Sequence, residues 1–379
     1  MTAPSTKNRP RHPWSAGLWV GCDVGTWFRR LAENRYAVDW CVVPWLPLIT
    51  LASLEFTFLR NFQRRIYGRR IDGTPLRPDP IFVIGHWRSG TTLLHELLAL
   101  DERHAYPTTF ECIAPLHCVL TRRLAMRWLS RFVPKTRPMD NMALGWDRPQ
   151  EDEFALVGMG LPSPYLMCAF PRRGPVYGEY LELDDVPPKD LENWKRLFVQ
   201  FLKQVAYRDP RRLILKSPTH TFRIRTMLEL FREARFIHIV RDPYVVFAST
   251  VHLWKTLQDL YALQAPTHTW LEEYVLETYL RLFRRLDETR SLVPAGRFAE
   301  LRYEDLVRDP VATLRATYDQ LDLGEFEHVA PAIERYAAEA ADYQTNRYEL
   351  PPALRERITR RWGDVIRRYG YASEPAVAP

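Results

Sequence analysis

Apolar runs and amphipathic stretches alternate along most of the chain. Three short runs, at residues 81–85, 212–216 and 235–240, are rich in Ile, Leu, Val and Phe, which is typical of strands buried on both faces of a parallel sheet. Residues 297–303 form a fourth strand candidate. Apolar residues at helical spacing predict helices at 91–100, 190–208, 221–231, 243–262, 268–290 and 352–369. The alternation predicts an α/β fold with three layers, α/β/α, around a central parallel sheet.

A different apolar run lies near the N-terminus. Residues 40–54 are almost wholly apolar, and five arginines follow between positions 60 and 70. The run is shorter than the roughly 20 apolar residues that a bilayer-spanning helix needs. It suits a segment that lies in the membrane interface, or a hydrophobic lid over an active-site mouth. A helical hairpin packed in the core is the alternative.

The pattern divides the chain into three parts. Residues 1–16 are polar and basic and contain several prolines, which indicates a flexible tail, and they show no cleavable signal peptide. Residues 17–75 form the apolar and basic N-terminal segment, which we expect to be helical and hypothesise to be membrane-associated. Residues 76–379 form the main domain, which begins after a turn signal that contains Asp72 and Gly73.

Composition narrows the class of protein. A chain of 379 residues can bury one large core, and a net charge of +7 favours a polyanionic partner such as a nucleotide, a nucleic acid, a membrane surface or an acidic glycan. The five cysteines are an odd number, and their spacing matches no metal site. We therefore expect buried reduced thiols, no metal and a cytoplasmic location. The apolar and basic N-terminal segment adds the expectation of peripheral contact at the inner membrane face through residues 40–70.

The strongest chemical signal is the loop at residues 85–92, between the first strand and the first helix of the main domain. Glycines at such a turn let backbone N–H groups and the helix dipole hold an anion, which makes the predicted fold P-loop-like. Thr91 stands where a nucleoside triphosphatase has its lysine, and the cation is instead Arg88. The loop predicts phosphate or sulfate contacts from Arg88, Ser89, Gly90, Thr91 and Thr92. A purely structural turn is the alternative.

A second anion site is predicted after the strand at 235–240. Arg241 follows that strand directly, and Ser249 lies eight positions later on the next helix. A guanidinium and a hydroxyl at these places can converge on one phosphate. A local role for Arg241 and Asp242, with Asp242 capping a helix that starts at Pro243, is compatible with this hypothesis.

These strings resemble motifs of the PAPS-dependent sulfotransferase superfamily, in its bacterial-type branch. Residues 88–94 resemble the loop that holds the 5′-phosphosulfate, and Arg241 with Ser249 resembles the 3′-phosphate motif. Residues 301–306 resemble a late strand motif, which implies that Tyr303 lies near the adenine. Residues 346–348 resemble a loop that closes over the cofactor. The resemblance spans about residues 80–371 and implies an enzyme that transfers a sulfuryl group from PAPS (3′-phosphoadenosine-5′-phosphosulfate) to a hydroxyl or amine.

Sulfuryl transfer needs positive charge at the leaving phosphate oxygen and a base at the acceptor. Arg88 and Lys216, the latter at a strand end, are the predicted leaving-group cations. Glu111 is the leading candidate for the base, because related tyrosylprotein and glycan sulfotransferases have a glutamate at a comparable distance after the loop. Glu153, in an acidic cluster at 150–154, is the second candidate. His220 and His86 complete the set of alternatives.

The residues alone do not identify the acceptor, and they leave two rival functions to consider. Many aromatic residues and the apolar N-terminal segment suggest a lipid, sterol, phenol or glycolipid acceptor, and the positive charge suits an anionic sugar. One rival is a P-loop kinase or other phosphotransferase, which the absence of the lysine disfavours. The other is a non-catalytic basic adaptor for membranes or nucleic acid, but no nucleic-acid-binding pattern is present, and we expect no nucleic-acid partner.

Overall fold

The computed structural model describes residues 21–129, 145–339 and 348–371. The predicted tail at 1–16, the stretch at 137–141, and the predicted closing-loop residues Asn346 and Arg347 lie outside these ranges. The strands of the described residues form one parallel sheet with the order β2-β3-β1-β4-β5. They are β1 (Ile81–Ile84), β2 (His104–Ala105), β3 (Arg212–Lys216), β4 (Arg235–Val240) and β5 (Phe298–Arg302).

Helices surround this sheet and connect its strands. Before and between the first three strands they are α1 (Val24–Glu33), α2 (Leu46–Asp72), α3 (Thr91–Leu98), α4 (Thr109–Ile113), α5 (Cys118–Leu129), α6 (Asp152–Gly158) and α7 (Pro188–Arg208). The later ones are α8 (Ile224–Leu230), α9 (Pro243–Tyr261), α10 (Leu271–Arg290), α11 (Tyr303–Arg308), α12 (Pro310–Leu321), α13 (Ala330–Glu339) and α14 (Pro352–Arg368). The predicted α/β/α fold with a central parallel sheet is confirmed.

Alternation along each strand divides the core between the two faces of the sheet. On β1, Phe82 and Ile84 belong to the larger apolar cluster, which includes side chains of α7, α9, α10 and α14. Ile81 and Val83 point to the opposite face, where α3, α12 and α13 pack. Both faces of the sheet are therefore buried, which explains why the strands are continuous apolar runs in the sequence.

The central strand β1 pairs with a later strand on each side. Val83 lies level with Lys216 of β3, and Ile84 lies level with His238 of β4. The chain first moves from β1 outward to β2, returns to β3, and then crosses to β4 and β5 on the other side. Helix α8 connects β3 to β4, but β1 lies between these two strands in the sheet. This reversal of direction at β1 is a topological switch point.

The N-terminal segment is helical and lies against the main domain. Residues 43–45 form one 3₁₀ turn that leads into α2, which is 27 residues long. Gln63 of α2 donates a hydrogen bond of 2.8 Å to Gln204 of α7, and both side chains are buried. No helix among the described residues is both long and apolar enough to cross a bilayer. The alternative of a buried hairpin does not fit, because much of α2 is exposed.

The cysteines are all free, and four of them are buried as expected. Cys41 differs, because it precedes α2 on the surface. The prediction of buried thiols is therefore wrong for Cys41. Apolar residues surround it in the sequence, but this part of the chain lies on the outside of the fold.

Candidate active site

The loop between β1 and α3 makes a turn that depends on glycine. Gly85 has a φ of +150°, and a Cβ there would lie 2.6 Å from the carbonyl oxygen of Ile239. The turn is closed by Ser89, whose backbone N–H and hydroxyl both donate to the carbonyl oxygen of His86, at 3.1 and 2.8 Å. Thr91 and Thr92 begin α3. The loop therefore surrounds the N-terminal end of this helix, where an anion is favoured.

Gly90 permits a close contact between this loop and the start of α11. Its φ is +105°, and a Cβ would lie 2.4 Å from Cδ2 of Tyr303. The ring of Tyr303 in turn lies 4.0 Å from the guanidinium carbon of Arg241, in a cation–π contact. Gly90, Arg241 and Tyr303, which were predicted separately, are thus packed against one another.

Arg88 joins the two predicted anion sites. Its Nε donates a hydrogen bond of 2.9 Å to the hydroxyl of Ser249 on α9, and its carbonyl oxygen accepts one of 3.3 Å from Arg241. Arg241 and Ser249, which the sequence predicts to converge on one phosphate, are both in contact with Arg88. Two guanidinium groups and one hydroxyl thus form a single cluster, and their convergence on a phosphate stays a prediction.

Lys216 stands on the other side of β1, at the end of β3. Its side chain is 1% exposed, and its Nζ lies 2.7 Å from Oε1 of Glu151 and 3.5 Å from the hydroxyl of Thr92. The contact with Thr92 places this ammonium next to the first turn of α3. Lys216 is therefore beside the anion-binding loop, as the sequence predicts, and it already has a carboxylate partner.

Glu151 is held by a tyrosine as well as by Lys216. The hydroxyl of Tyr165 donates a hydrogen bond of 2.6 Å to Oε2 of Glu151, and it accepts one of 2.7 Å from the indole of Trp87 in the loop. Burial, and then the neighbouring Glu151 carboxylate, raise the pKa of Tyr165 well above its usual value. Tyr165 is therefore a neutral donor that fixes Glu151 relative to the loop.

The next two residues of the acidic cluster have different partners. Asp152 lies 2.7 Å from Nε2 of His220, and both side chains are fully buried. Glu153 pairs with Arg223 at 2.6 Å and accepts hydrogen bonds from the hydroxyls of Ser163 and Thr219. Burial raises the pKa of Glu153, but the Arg223 charge and these hydrogen bonds outweigh it, so the pKa lies below its usual value. Glu153 is thus engaged in a buried ion pair, and His220 in a buried contact with Asp152.

Glu111 lies at the start of α4, in a capping box. Its Oε2 accepts hydrogen bonds of 2.9 Å from both the backbone N–H and the hydroxyl of Thr108. Its Oε1 pairs with Nε of Arg208 at 2.6 Å. These contacts give Glu111 a structural role that accounts for its burial. Its role as the base remains a prediction.

Two histidines near the loop differ in their surroundings. Burial lowers the pKa of His86 to about 4, and its Nδ1 lies 2.9 Å from the carbonyl oxygen of Trp87. On α9, one turn after Ser249, partial burial and then the charges of Arg88 and Lys255 lower the pKa of His252. Burial is the larger cause of the lowered pKa of His252, and the nearby charges of Arg88 and Lys255 add to it.

Sequence reasoning did not single out Glu151, Tyr165 or His252. The acidic cluster is visible in the sequence, but consecutive residues in the first turn of a helix point in different directions. Which of its carboxylates faces the loop depends on how α6 packs against β3. Tyr165 lies in a 3₁₀ turn whose sequence carries no recognisable signal.

A glycine-rich loop, two arginines and a lysine lie together at the carboxyl edge of the parallel sheet. This arrangement is typical of α/β proteins that bind phosphorylated ligands. Residues 80–328 match the family model described as the sulfotransferase family, and the chain belongs to this family. The resemblance stated from the two loops is confirmed, and the protein is a sulfotransferase. This identification replaces both rival functions, the kinase and the non-catalytic adaptor.

Relatives agree with this assignment over nearly the whole chain. A protein of Mycobacterium bovis (strain ATCC BAA-935 / AF2122/97), named omega-hydroxy-beta-dihydromenaquinone-9 sulfotransferase Stf3, is 49% identical over 366 residues, which is 96% of this chain and 94% of the relative. The crystal structure of sulfotransferase STF9 from Mycobacterium avium has a TM-score of 0.63 at 20% identity and covers 82% of this chain and 81% of its own. That of STF1 from Mycobacterium tuberculosis H37Rv has a TM-score of 0.60 at 17% identity, with 91% and 94% covered. The two structures share the fold.

The ion pair of Glu153 and Arg223 gives a first prediction. Glu153→Gln should lower the free energy of unfolding by about 3–5 kcal/mol, because it leaves Arg223 buried without a counter-charge. Denaturant unfolding measures this, with Glu356→Gln on the exposed side of α14 as the control. A variant of normal stability that binds the donor but does not turn over would instead make Glu153 the base.

Gly90 gives a second prediction. Gly90→Ala should weaken binding of PAP, the desulfated donor, because the new methyl group displaces Tyr303 and, with it, Arg241. Gly296→Ala is a matched control, since Gly296 also has a positive φ, of +78°, but no atom lies within 4 Å of an added Cβ. Both variants should lose about 1–3 kcal/mol of stability from backbone strain, and only Gly90→Ala should lose PAP affinity. Equal PAP affinity in the two variants would contradict the role given to this contact.

Proposed function

We propose that this sulfotransferase takes the sulfuryl group of PAPS and transfers it to a hydroxyl group of a lipid-like acceptor. The observation that carries the proposal is the arrangement of cations on two sides of one loop. Arg88, Arg241 and the Ser249 hydroxyl form a cluster towards β4, and Lys216 stands towards β3. Two separate anion sites on one loop suit a donor that is charged at both ends.

The cluster towards β4 is the proposed site of the 3′-phosphate. An incoming phosphate would replace the hydrogen bond between Arg88 and Ser249 and would accept charge-assisted hydrogen bonds from both arginines. Tyr303, which supports Arg241, lies where it can also contact the adenine. The loop has a threonine at position 91 in place of the lysine that contacts a γ-phosphate, which disfavours a nucleoside triphosphate as the ligand.

The side towards β3 is the proposed site of chemistry. The backbone N–H groups at Ser89–Thr92, together with Lys216, would stabilise charge on the leaving phosphate oxygen. Once Lys216 turns to that oxygen, the Glu151 carboxylate is released from its ion pair and can act as the base. Tyr165 keeps Glu151 in place through its hydrogen bond to Oε2. Glu151 thus replaces Glu111 as our preferred base, because its two partners, Lys216 and Tyr165, each contact the loop, whereas Glu111 pairs with Arg208.

The proposed step balances as an in-line displacement. The acceptor hydroxyl gives its proton to Glu151 while its oxygen forms a bond to sulfur. The bond between sulfur and the bridging phosphate oxygen breaks, and its electron pair stays on that oxygen next to Lys216. The products are a sulfate ester of the acceptor and PAP, which retains both phosphates.

The class of acceptor is proposed from the relative in Mycobacterium bovis. Its name specifies a hydroxylated dihydromenaquinone, and the two chains are 49% identical over nearly their full lengths. Such an acceptor offers a hydroxyl at one end of a long apolar molecule. We therefore favour a lipid-like alcohol over the sugar, phenol and amine acceptors that the sequence left open.

The donor site can be tested with two ligands that differ only in the 3′-phosphate, PAP and AMP. Arg241→Ala should weaken PAP binding at least about tenfold, the effect of losing a hydrogen bond to a charged group, and should leave AMP binding almost unchanged. Isothermal titration calorimetry measures both affinities. Arg367→Ala, a surface residue of α14 paired with Asp364, is the control and should bind both ligands normally. Equal losses for PAP and AMP would mean that Arg241 does not recognise the 3′-phosphate.

The base can be tested by comparing two glutamates. Glu151→Gln should lower turnover by about 10²–10⁴-fold, the usual contribution of a general base, without weakening PAP binding. Glu111→Gln should keep its turnover but lose stability, because it weakens the pair with Arg208. Transfer of labelled sulfate from PAPS to a long-chain alcohol, measured by mass spectrometry, reports the rate. If Glu111→Gln stops turnover while Glu151→Gln does not, the base is Glu111.

A further inference from the structure

A row of apolar side chains faces solvent along α2. Leu51 and Phe58 are 63% and 67% exposed, values far above those of packed residues. The row continues at spacings of three or four residues, so its members share one side of the helix. We call this row the α2 stripe; it consists of Leu48, Leu51, Leu54, Phe58, Phe62 and Ile66. Single exposed apolar residues are common on proteins, but a continuous row of six marks an interaction surface.

The rest of α2 is fixed, so the helix cannot rotate to bury the stripe. On the packed side, Gln63 donates to Gln204 at 2.8 Å and accepts a hydrogen bond of 3.0 Å from the backbone N–H of Leu120. Thr57 accepts a hydrogen bond of 2.9 Å from the backbone N–H of Val24. These polar contacts have specific partners on three other elements. The orientation that exposes the stripe is therefore built into the fold.

Positive charge lies at the C-terminal end of the same surface. Arg64, Arg65, Arg69 and Arg70 are all exposed, and within the described chain none of them has a carboxylate within ion-pair distance. Phe58, Asn61 and Phe62 line a surface cleft of about 400 Å³ together with Arg64 and Arg65. The rings of Phe58 and Phe62 are stacked at 6.1 Å. Guanidinium groups thus stand directly beside an aromatic surface.

We infer that the α2 stripe and the arginines beside it are a docking surface for an anionic lipid membrane. Apolar side chains of an interfacial helix insert among acyl chains, while arginines pair with lipid phosphates. Trp40, 89% exposed just before α2, is a residue type that favours the membrane interface. Charge complementarity selects this occupant over the chain's own N-terminal residues 1–20, which contain no carboxylate and three basic residues.

The inference does not depend on the proposed donor site, because the stripe shares no residue with it. It adds to the proposed function a means of reaching the acceptor. A lipid-like alcohol resides in a membrane, and an enzyme held at the surface meets it at a far higher local concentration than a freely diffusing one. Vesicle binding and PAP binding can be measured separately, so failure of one proposal leaves the other standing.

Vesicle co-sedimentation tests the docking surface. The full chain should sediment with vesicles of phosphatidylglycerol and phosphatidylcholine, and much less with vesicles of phosphatidylcholine alone. Raising the salt concentration should weaken the binding, because it screens the arginines. The double variant Leu51→Ser and Phe58→Ser should bind the anionic vesicles at least about tenfold more weakly, since two inserted apolar side chains are lost.

Two further variants complete the design. Arg64→Gln with Arg65→Gln should remove the preference for anionic vesicles. Leu292→Ser, at a position after α10 that is 45% exposed, should bind like the unaltered chain. Thermal unfolding confirms that each variant is folded. Unchanged vesicle binding in the double variant Leu51→Ser and Phe58→Ser would overturn the inference. So would a dimer in solution that this variant dissociates, because the stripe would then be covered by a second copy of the chain.

Discussion

The parallel pairing of β1 with β3 on one side and β4 on the other is the interaction on which the site depends. Its register sets Lys216 level with Val83 and brings Arg241 to the same edge as the loop that leaves β1. No local feature of the sequence could align groups that are more than 100 positions apart along the chain. Because both faces of the sheet are buried, a shift of one residue would turn apolar side chains away from their clusters, so the register is strongly fixed. The position of the cations is therefore a consequence of core packing.

The acidic cluster shows how burial gives neighbouring residues of the same chemistry different tasks. Glu153 and Asp152 are enclosed with Arg223 and His220, and these pairs attach α6 to the chain that follows β3. Because the first turn of α6 is anchored twice, the residue before it, Glu151, has a defined position beside Lys216. The two buried pairs thus orient the one carboxylate that the proposed reaction needs. The cluster at 150–154 therefore contains two residues that fix α6 in place and one that contacts Lys216.

Some of this arrangement could be predicted from the sequence, and the limit has a physical cause. The sequence indicates Arg88, Arg241 and Ser249 as candidates because each lies directly after a strand or on the next helix, where local pattern fixes the position. Contacts such as that of Tyr165 with Glu151 depend on how separate elements pack, and no spacing encodes them. The edge strand β2 has two residues, too few to show any alternation. The same reason explains why the sequence did not indicate the contacts of Arg88 with both Ser249 and Arg241.

Helix α2 has polar residues on the side that packs against the protein and apolar residues on the side that faces solvent. Its packed side includes the polar residues Ser53 and Gln63, which are both buried, and Gln63 is hydrogen-bonded to Gln204. Large apolar residues face outward. In water this distribution is unfavourable, because the exposed apolar area gains nothing from folding. It becomes favourable when the outward side meets a non-polar medium. The polar contacts then hold the helix in a fixed orientation, and the apolar stripe is free to bind. A helix in the core would show the reverse distribution, which is why hydrophobicity along the sequence alone could not separate the two cases.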